Sequence, residues 1–327
     1  MESALQLDAN GPARLSVIVP VKDEVESIEL LSKELAAALD SAHDPRVRNW
    51  ELIFVDDGSS DESWSEISRL AATDLRIRGL KLRRNYGKSA ALAAGVRACE
   101  GEVIVTMDGD LQDDPAEIPG MVARLGEGAD LVAGFKESRQ DPLGKRLPSK
   151  VFNAFTSLVT GLRLKDHNCG LKAGRREVFE KAPLYGEMHR YFAAISHANG
   201  FRVVELPVHH RPRQFGKSKF GLERYARGGL DLMTVLGLTR YANRPAHLFG
   251  GVGLILGLAG SAILTYLSGI WLFTDQAIGN RPLLLLGALM VLVAVQLVSL
   301  GVLAEMLVRR EVDRTDPLNI VAERANL

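Results

Sequence analysis

Val103-Ile104-Val105-Thr106-Met107-Asp108-Gly109-Asp110-Leu111-Gln112-Asp113-Asp114-Pro115 is the stretch whose reading decides the fold. It opens as a run of β-branched apolar residues, the kind that forms a buried strand. It closes on two carboxylates separated by one glycine. In extended chain, residues i and i+2 point the same way, so Asp108 and Asp110 reach one point from the strand's end. Gly109 lets the backbone turn and come close to a ligand. Two hard oxygen ligands suit Mg²⁺ or Mn²⁺ carrying substrate phosphates, and the carboxyl end of a strand is where open α/β sheets bind ligands. Taken alone, the stretch also reads as a solvated acidic turn, since Asp113, Asp114 and Pro115 are good helix starters. The surroundings decide between the two.

Upstream, Leu15 to Pro20 reads as a short apolar strand, followed by an amphipathic helix from Glu24 to Leu39. Leu52 to Ser59 is a second strand ending in Asp56-Asp57-Gly58-Ser59, and Asp61 to Ala72 a helix. A weaker strand at Ile77 to Leu82 precedes an alanine-rich helix from Lys88 to Cys99. Downstream, a helix near Pro115 to Leu125 and a fifth strand at Asp130 to Phe135 follow. Strands alternating with helices predict an α/β, Rossmann-like domain with a mostly parallel sheet covered on both faces. The polar ends of the first, second and fourth strands should converge on one edge. Gly87-Lys88-Ser89 resembles the end of a phosphate-binding P-loop, but Leu82 stands where that motif requires glycine. No Gly-x-Gly-x-x-Gly follows the first strand, which disfavours a dinucleotide-binding enzyme.

The 327 residues carry 40 Lys plus Arg against 40 Asp plus Glu, so net charge points to no partner, and no nucleic acid is expected. Two cysteines, Cys99 and Cys169, are too few for a disulfide scaffold and indicate a reducing compartment. Residues 1–14 read as a flexible polar segment without the apolar core of a signal peptide.

Hydropathy is strongly asymmetric. Residues 246–273 contain no Asp, Glu, Lys or Arg; as a helix they extend ~42 Å, more than the ~30 Å hydrocarbon core of a bilayer. Residues 282–304 form a second such run, with Gln296 its one strongly polar side chain. Two membrane helices are predicted, because too little chain remains to wrap both as a soluble core. Arg240 and Arg244 precede the first and Arg309, Arg310 and Arg314 follow the second, against Arg281 alone between them. The positive-inside rule places both termini and the main domain in the cytosol, on the inner membrane. Residues 222–244 read as a juxtamembrane amphipathic helix region resting on the lipid bilayer, and 309–327 as a cytosolic tail. A two-span anchor permits a lateral homo-oligomer.

Val19-Pro20 with Glu24, Val55 to Ser59, and Asp108 to Asp113 together resemble the family 2 glycosyltransferases of GT-A fold. The nearer resemblance is to the polyisoprenyl-phosphate glycosyltransferases, the group of dolichyl-phosphate mannose synthase. Asp166-His167-Asn168-Cys169-Gly170-Leu171-Lys172 and Arg213-Gln214-Phe215-Gly216-Lys217-Ser218-Lys219 resemble that group's downstream motifs. The likeness spans about residues 15 to 245, with the catalytic domain at 15–221.

This resemblance implies that Pro20, Lys22, Glu24, Phe54, Asp56 and Asp57 line the nucleoside pocket, with Asp56 accepting from the base and Glu24 from the ribose. It implies that Asp108, Asp110 and Gln112 hold Mg²⁺ or Mn²⁺ and, with Gly109, the donor diphosphate. Lys136 stands where relatives usually carry arginine, and Lys22 where some carry an aromatic residue. Arg213 and Lys219 are placed on the donor phosphates, within a basic segment that would also suit a membrane surface. Arg146, Ser149 and Lys150, beside Lys145 and with Lys136 nearby, would receive the acceptor phosphate. His189, His197, His209 and His210 are not read as bases: a phosphate monoester has its second pKa near 6 and needs none. Cys169 reads as a packed small residue.

The expected reaction is inverting transfer of a sugar from a UDP- or GDP-sugar to undecaprenyl or dolichyl phosphate. One alternative is a processive synthase of the same superfamily, although none of Trp50, Trp64 and Trp271 lies in a Gln-x-x-Arg-Trp motif. Transfer to a soluble or glycerolipid acceptor and a non-catalytic nucleotide-binding scaffold are the other two.

Overall fold

The computed structural model describes residues 15–136, 156–157, 160–182, 184–212, 241, 245–274 and 277–312. The chain divides into two compact units, Met1–Val235 and Leu236–Leu327.

In the first unit the described residues form one seven-stranded sheet. Its strands are β1 (Leu15–Val21), β2 (Trp50–Asp56), β3 (Ile77–Lys81), β4 (Val103–Thr106), β5 (Leu131–Lys136), β6 (Lys172–Arg175) and β7 (Val203–Val208). They lie in the order β3-β2-β1-β4-β6-β5-β7. All pairings are parallel except those of β6, which runs against both β4 and β5. The GT-A arrangement expected from the sequence is therefore present, with one reversed strand.

Helices cover both faces because the strands are apolar on both sides. Val17, Val19 and Phe54 join one core with Ile28, Leu31, Leu35 and Leu39 of α1 (Val25–Asp40) and Ile67 and Leu70 of α3 (Ser63–Thr73). α5 (Ile118–Gly126) closes the same layer, and α2 (Pro45–Arg48) is a short turn capped by Asp44. On the other face α4 (Lys88–Ala98) lies so close that a Cβ on Gly95 would stand 2.4 Å from Ile18 Cγ2. Two short helices, α6 (Arg176–Lys181) and α7 (Phe192–Ala198), follow β6.

The turn after β2 needs glycine. Gly58 has φ +67°, and an added Cβ would stand 2.5 Å from the Arg84 carbonyl carbon. Left-handed backbone alone costs an L-residue about 1–2 kcal/mol, and backbone cannot yield as a side chain can. Gly58→Ala is expected to destabilise by at least about 2 kcal/mol, readable as a drop in melting temperature.

In the second unit α8 (Pro245–Thr274) and α9 (Pro282–Val312) are long apolar helices, with mean hydropathies of 2.0 and 2.7 over their most apolar windows. Leu254, Ile255 and Phe273 stay 62–86% exposed, so these are not core helices of a soluble domain. They meet along small residues: a Cβ on Gly260 would stand 2.8 Å from the Gly287 carbonyl oxygen, and one on Gly253 3.0 Å from that of Ala294. Such close approach is how apolar helices pack inside lipid. The Glu305 carboxylate accepts from the Ala246 N–H at 3.1 Å, satisfying an orphan donor in the first turn of α8. α9 runs eight residues past its expected end at Ala304, since nothing from Glu305 to Val312 breaks a helix.

Candidate active site

Three adjacent parallel strands end at one rim. β1 lies between β2 and β4, with Val21 beside Asp56 and Ile18 beside Thr106. Asp57 N–H donates to the Val21 carbonyl at 2.9 Å and Met107 N–H to that of Ile18 at 3.1 Å, so the pairing continues into the segments bearing the acids. Gly109 tucks against β1: its carbonyl accepts from Ser27 Oγ at 2.6 Å, and a Cβ on it would stand 2.8 Å from Val21 Cγ1.

The residues expected around a nucleoside sort into different roles. Asp56 is fully buried; its Oδ1 accepts from Ser59 N–H at 2.8 Å, whereas Oδ2 is a buried acceptor without a hydrogen bond. Asp57 has both oxygens engaged, accepting from Tyr86 N–H (2.7 Å) and Gly87 N–H (2.9 Å), and so fixes the loop leading into α4. Lys22 Nζ donates to the Gly58 carbonyl at 2.6 Å. Glu24 and Pro20 are half-buried at the rim. Phe54 is a correction: its side chain has no exposed surface and belongs to the core under α1 and α3. It shares the face of Asp56 but lies two residues further from the strand's end.

At the acidic motif, Asp108, Asp110 and Gln112 are half-buried, and Asp110 Oδ1 accepts from Gln112 N–H at 3.3 Å. Leu111 between them has φ +60°, a strained conformation for leucine. Burial of its side chain and the hydrogen bond from Arg211 N–H to the Gln112 carbonyl (2.7 Å) hold it there.

The Lys88 ammonium, at the start of α4, donates to Asp108 Oδ1. Burial favours the neutral acid, but the Lys88 charge outweighs it, with Lys136 adding to the effect, and the Asp108 carboxyl lies at about 2. Gly170 presses on the same carboxylate: a Cβ there would stand 2.6 Å from Asp108 Oδ2 and 2.7 Å from Oδ1. Thr106 Oγ1 donates to the Gly170 carbonyl at 2.9 Å and keeps it there.

Across the rim Lys136 Nζ donates to His210 Nε2 at 2.9 Å. An ammonium only donates, so the ring proton of His210 sits on Nδ1, 3.4 Å from Asp113 Oδ1. Arg211 is held by Glu34 (2.7 Å) and Asp114 (2.9 Å), and Gln112 Nε2 donates to its carbonyl at 3.3 Å. Arg213, two residues on, and Lys219 lie outside the described residues, as do Arg146, Ser149, Lys150 and the juxtamembrane region 222–240.

Lys88, His189, Gly170 and Lys172 were not singled out as site residues by their chemistry. Lys88 was visible only as a failed P-loop. His189 Nδ1 lies 2.8 Å from Ser89 Oγ; burial, with Lys88 and Arg190 alongside, pushes its imidazole down to about 2. Burial drives the Cys169 thiol up to about 12, in keeping with a packed residue.

Among the described residues no three His, Cys, Asp or Glu side chains converge as a preformed metal cage. Two carboxylates and an amide oxygen nonetheless fit a hard ion that completes its shell with substrate phosphates and water. Asp108, Asp110 and Gln112 supply that donor set.

His167 gives the domain a pH dependence. It is fully buried, with Nε2 3.0 Å from Ser157 Oγ, and burial holds its imidazole down at about 4. Below the ordinary value near 6.5 the unfolded chain takes up a proton that the folded chain refuses. Stability therefore falls as pH drops from 6.5 to 4, by up to about 3 kcal/mol from this group. His167→Gln is expected to flatten that part of the melting-temperature profile; an unchanged slope would refute the assignment.

Comparison with known proteins gives the family. The sequence pattern of "Glycosyl transferase family 2" matches residues 16–182, which carry Asp56, Asp108, Asp110 and Gly170. The chain belongs to glycosyl transferase family 2. Within it, the chain is 39% identical over 300 residues to the dodecaprenyl-phosphate galacturonate synthase of Rhizobium johnstonii, covering 90% of this chain and 88% of that one. It is 32% identical over 304 residues to the undecaprenyl-phosphate 4-deoxy-4-formamido-L-arabinose transferase of Salmonella dublin, covering 92% and 90%. Among solved structures, glucosyl-3-phosphoglycerate synthase from Mycobacterium tuberculosis, crystallised with Mg²⁺ and UDP, superposes with a TM-score of 0.52 at 22% identity. That match covers 70% of this chain and 80% of the other and is a likeness of fold. In this family 2 chain the two acids that follow β4 and Asp56 at the end of β2 stand on either side of β1, at one rim of the sheet.

Proposed function

We propose that this family 2 transferase moves one sugar from a nucleotide-sugar to a polyisoprenyl phosphate, forming a polyprenyl-monophosphate sugar at the membrane. One observation carries the reading. Both relatives, aligned over nine-tenths of the chain and so across the apolar helices, are named for a polyprenyl phosphate. Their names differ in the sugar.

Asp108, Asp110 and Gln112 would hold a divalent ion, Mg²⁺ or Mn²⁺, which would offset the charge of the departing nucleotide diphosphate. Asp56 Oδ2, a buried acceptor without a partner, meets an N–H of the base. Asp57 and Lys22 act one step back, shaping the loops beside it. Lys136, aimed by His210, attracts phosphate as a point charge. Arg213 and Lys219 on the donor phosphates, and Arg146, Ser149 and Lys150 on the acceptor, extend this scheme by resemblance.

An oxyanion of the lipid phosphate attacks the anomeric carbon as the bond to the donor phosphate breaks, inverting that centre. No base is required, in keeping with a His189 that stays neutral. The flanking arginines support a cytosolic active site, and confinement at the bilayer raises the effective concentration of the acceptor.

The test is full-length protein in detergent with Mg²⁺ or Mn²⁺, screened against labelled UDP- and GDP-sugars and undecaprenyl or dolichyl phosphate. Label is expected in the organic phase, in a species that mild acid releases. No lipid-linked label from any pair would reject the function.

A further inference from the structure

One side chain of α9 is used neither by the rim of the sheet nor by the packing of α9 against α8. Gln296 is the one strongly polar side chain between Pro282 and Ala304. As helix, ~20 Å of chain separates it from Arg281 on one side and from Arg309 on the other. It therefore lies near the middle of a ~30 Å hydrocarbon core, too deep for its amide to snorkel to a headgroup. Gln296 is exposed on the helix surface, and among the described residues its amide makes no hydrogen bond. A primary amide left unpaired in hydrocarbon is strongly unfavourable. A leucine at this position would carry no such cost, so the amide has its use when a partner is present.

The neighbours of Gln296 give the shape of that partner. Gly287, Ala294 and Gly301 lie on the side of α9 that meets α8. On the opposite side Leu285, Leu289, Leu292, Gln296, Ser299 and Leu303 recur at alternating steps of four and three. All six are exposed, the leucines by 54–73%. This is the spacing of a coiled-coil seam, with Gln296 at an a position between Leu289 and Leu303. A leucine face alone suits lipid as well as protein; the amide decides between them. Beside the seam a groove of about 350 Å³ lies between α8 and α9, lined in part by Gly257, Ser261, Val295 and Ser299. A helix docked over Gln296 would find in it a recess for its own side chains.

Topology selects the occupant. Copies of one chain inserted the same way run their α9 helices parallel, so a seam that pairs them sets each residue beside its own counterpart at equal depth. A glutamine amide both donates and accepts, and two of them satisfy each other across a two-fold axis. A lipid tail offers no polar partner there, and a different protein would need a matching group at the same depth.

We propose that α9 pairs with α9 of a second copy through this seam, the two Gln296 amides hydrogen-bonded to each other at mid-bilayer. This contact goes beyond sugar transfer and requires only that α8 and α9 span a membrane. A polar residue at an a position also fixes the register of the pair. Interhelical hydrogen bonds within lipid strengthen association by about tenfold.

The experiment uses full-length protein in liposomes, with donor- and acceptor-labelled copies mixed and the dimer fraction read by energy transfer as the protein-to-lipid ratio is varied. The wild type is expected to dimerise. Gln296→Leu, an apolar change on an exposed face, should raise the dissociation constant about tenfold, and Gln296→Asn should keep most of the wild-type affinity. Oxidative cross-linking in native membranes gives a second readout on the unaltered Gln296, since the native Cys99 and Cys169 are buried. Leu292→Cys should give a disulfide-linked product of two copies, and Leu286→Cys, exposed on another face, should not. A wild type that stays monomeric at every ratio overturns the proposal, as does a Gln296→Leu variant that pairs as tightly. Cross-linking through Leu286→Cys in place of Leu292→Cys would move the contact off this seam and overturn it too. A Leu292→Cys product with a mass other than two copies would give the seam to another protein and exclude the second copy. None of these readouts depends on sugar transfer, so the dimer and the transferase function can each fail without the other.

Discussion

Asp110→Ala is expected to lower sugar transfer by roughly a thousandfold while leaving the protein folded. A bound divalent ion contributes several kcal/mol at a leaving diphosphate, and about 4 kcal/mol is three orders of magnitude in rate. Asp110 is half-buried at the rim and outside the apolar core, so its loss takes no core packing from the fold. Asp108→Ala would be a less clean experiment, since it also strips Lys88 of its partner. Turnover by Asp110→Ala above a tenth of wild type, at saturating Mg²⁺ or Mn²⁺, would remove the ion from this rim.

Gly170→Ala should cost about a hundredfold, from a residue with no functional group. The new methyl would lie within 2.7 Å of both Asp108 oxygens, and Thr106 blocks retreat by holding the Gly170 carbonyl. The carboxylate must move, and a displacement near 1 Å at a catalytic group costs about a hundredfold. Steady-state kinetics should show that fall with a melting temperature close to wild type. In an Asp108→Ala background the same substitution should cost little more, because the two act through one contact. An undiminished kcat/KM for Gly170→Ala would show that the position of Asp108 is not critical.

Much of this was legible in the sequence, for a physical reason. Asp56 and the Asp108–Asp110 pair stand just past apolar strands, so local pattern alone puts them at strand ends, and parallel packing brings those ends together. The apolar helices announce themselves by composition. What escaped depends on contacts distant in sequence. Lys88 meets Asp108 only because α4 starts at the rim, after the crossover from β3. β6 is four residues, Lys-Ala-Gly-Arg, without a β-branched side chain, and it exists because β4 and β5 flank it. Phe54 is placed in the nucleoside pocket by resemblance alone, and a resemblance gives a position in the strand but not the depth at which helices cover it.

The reversal of β6 has an architectural consequence. In an all-parallel sheet each strand can deliver only the residues that follow it to the active rim. β6 delivers those that precede it, which is how Gly170 arrives beside Asp108, while Lys172 at its start lies opposite Thr106. β5 ends at Lys136 on the side where β6 begins, with Ala133 opposite Lys172. The acids after β4 are therefore hemmed from both flanks, by β1 against Gly109 and by the approach to β6 at Gly170, so these carboxylates can change place only if the sheet around them does.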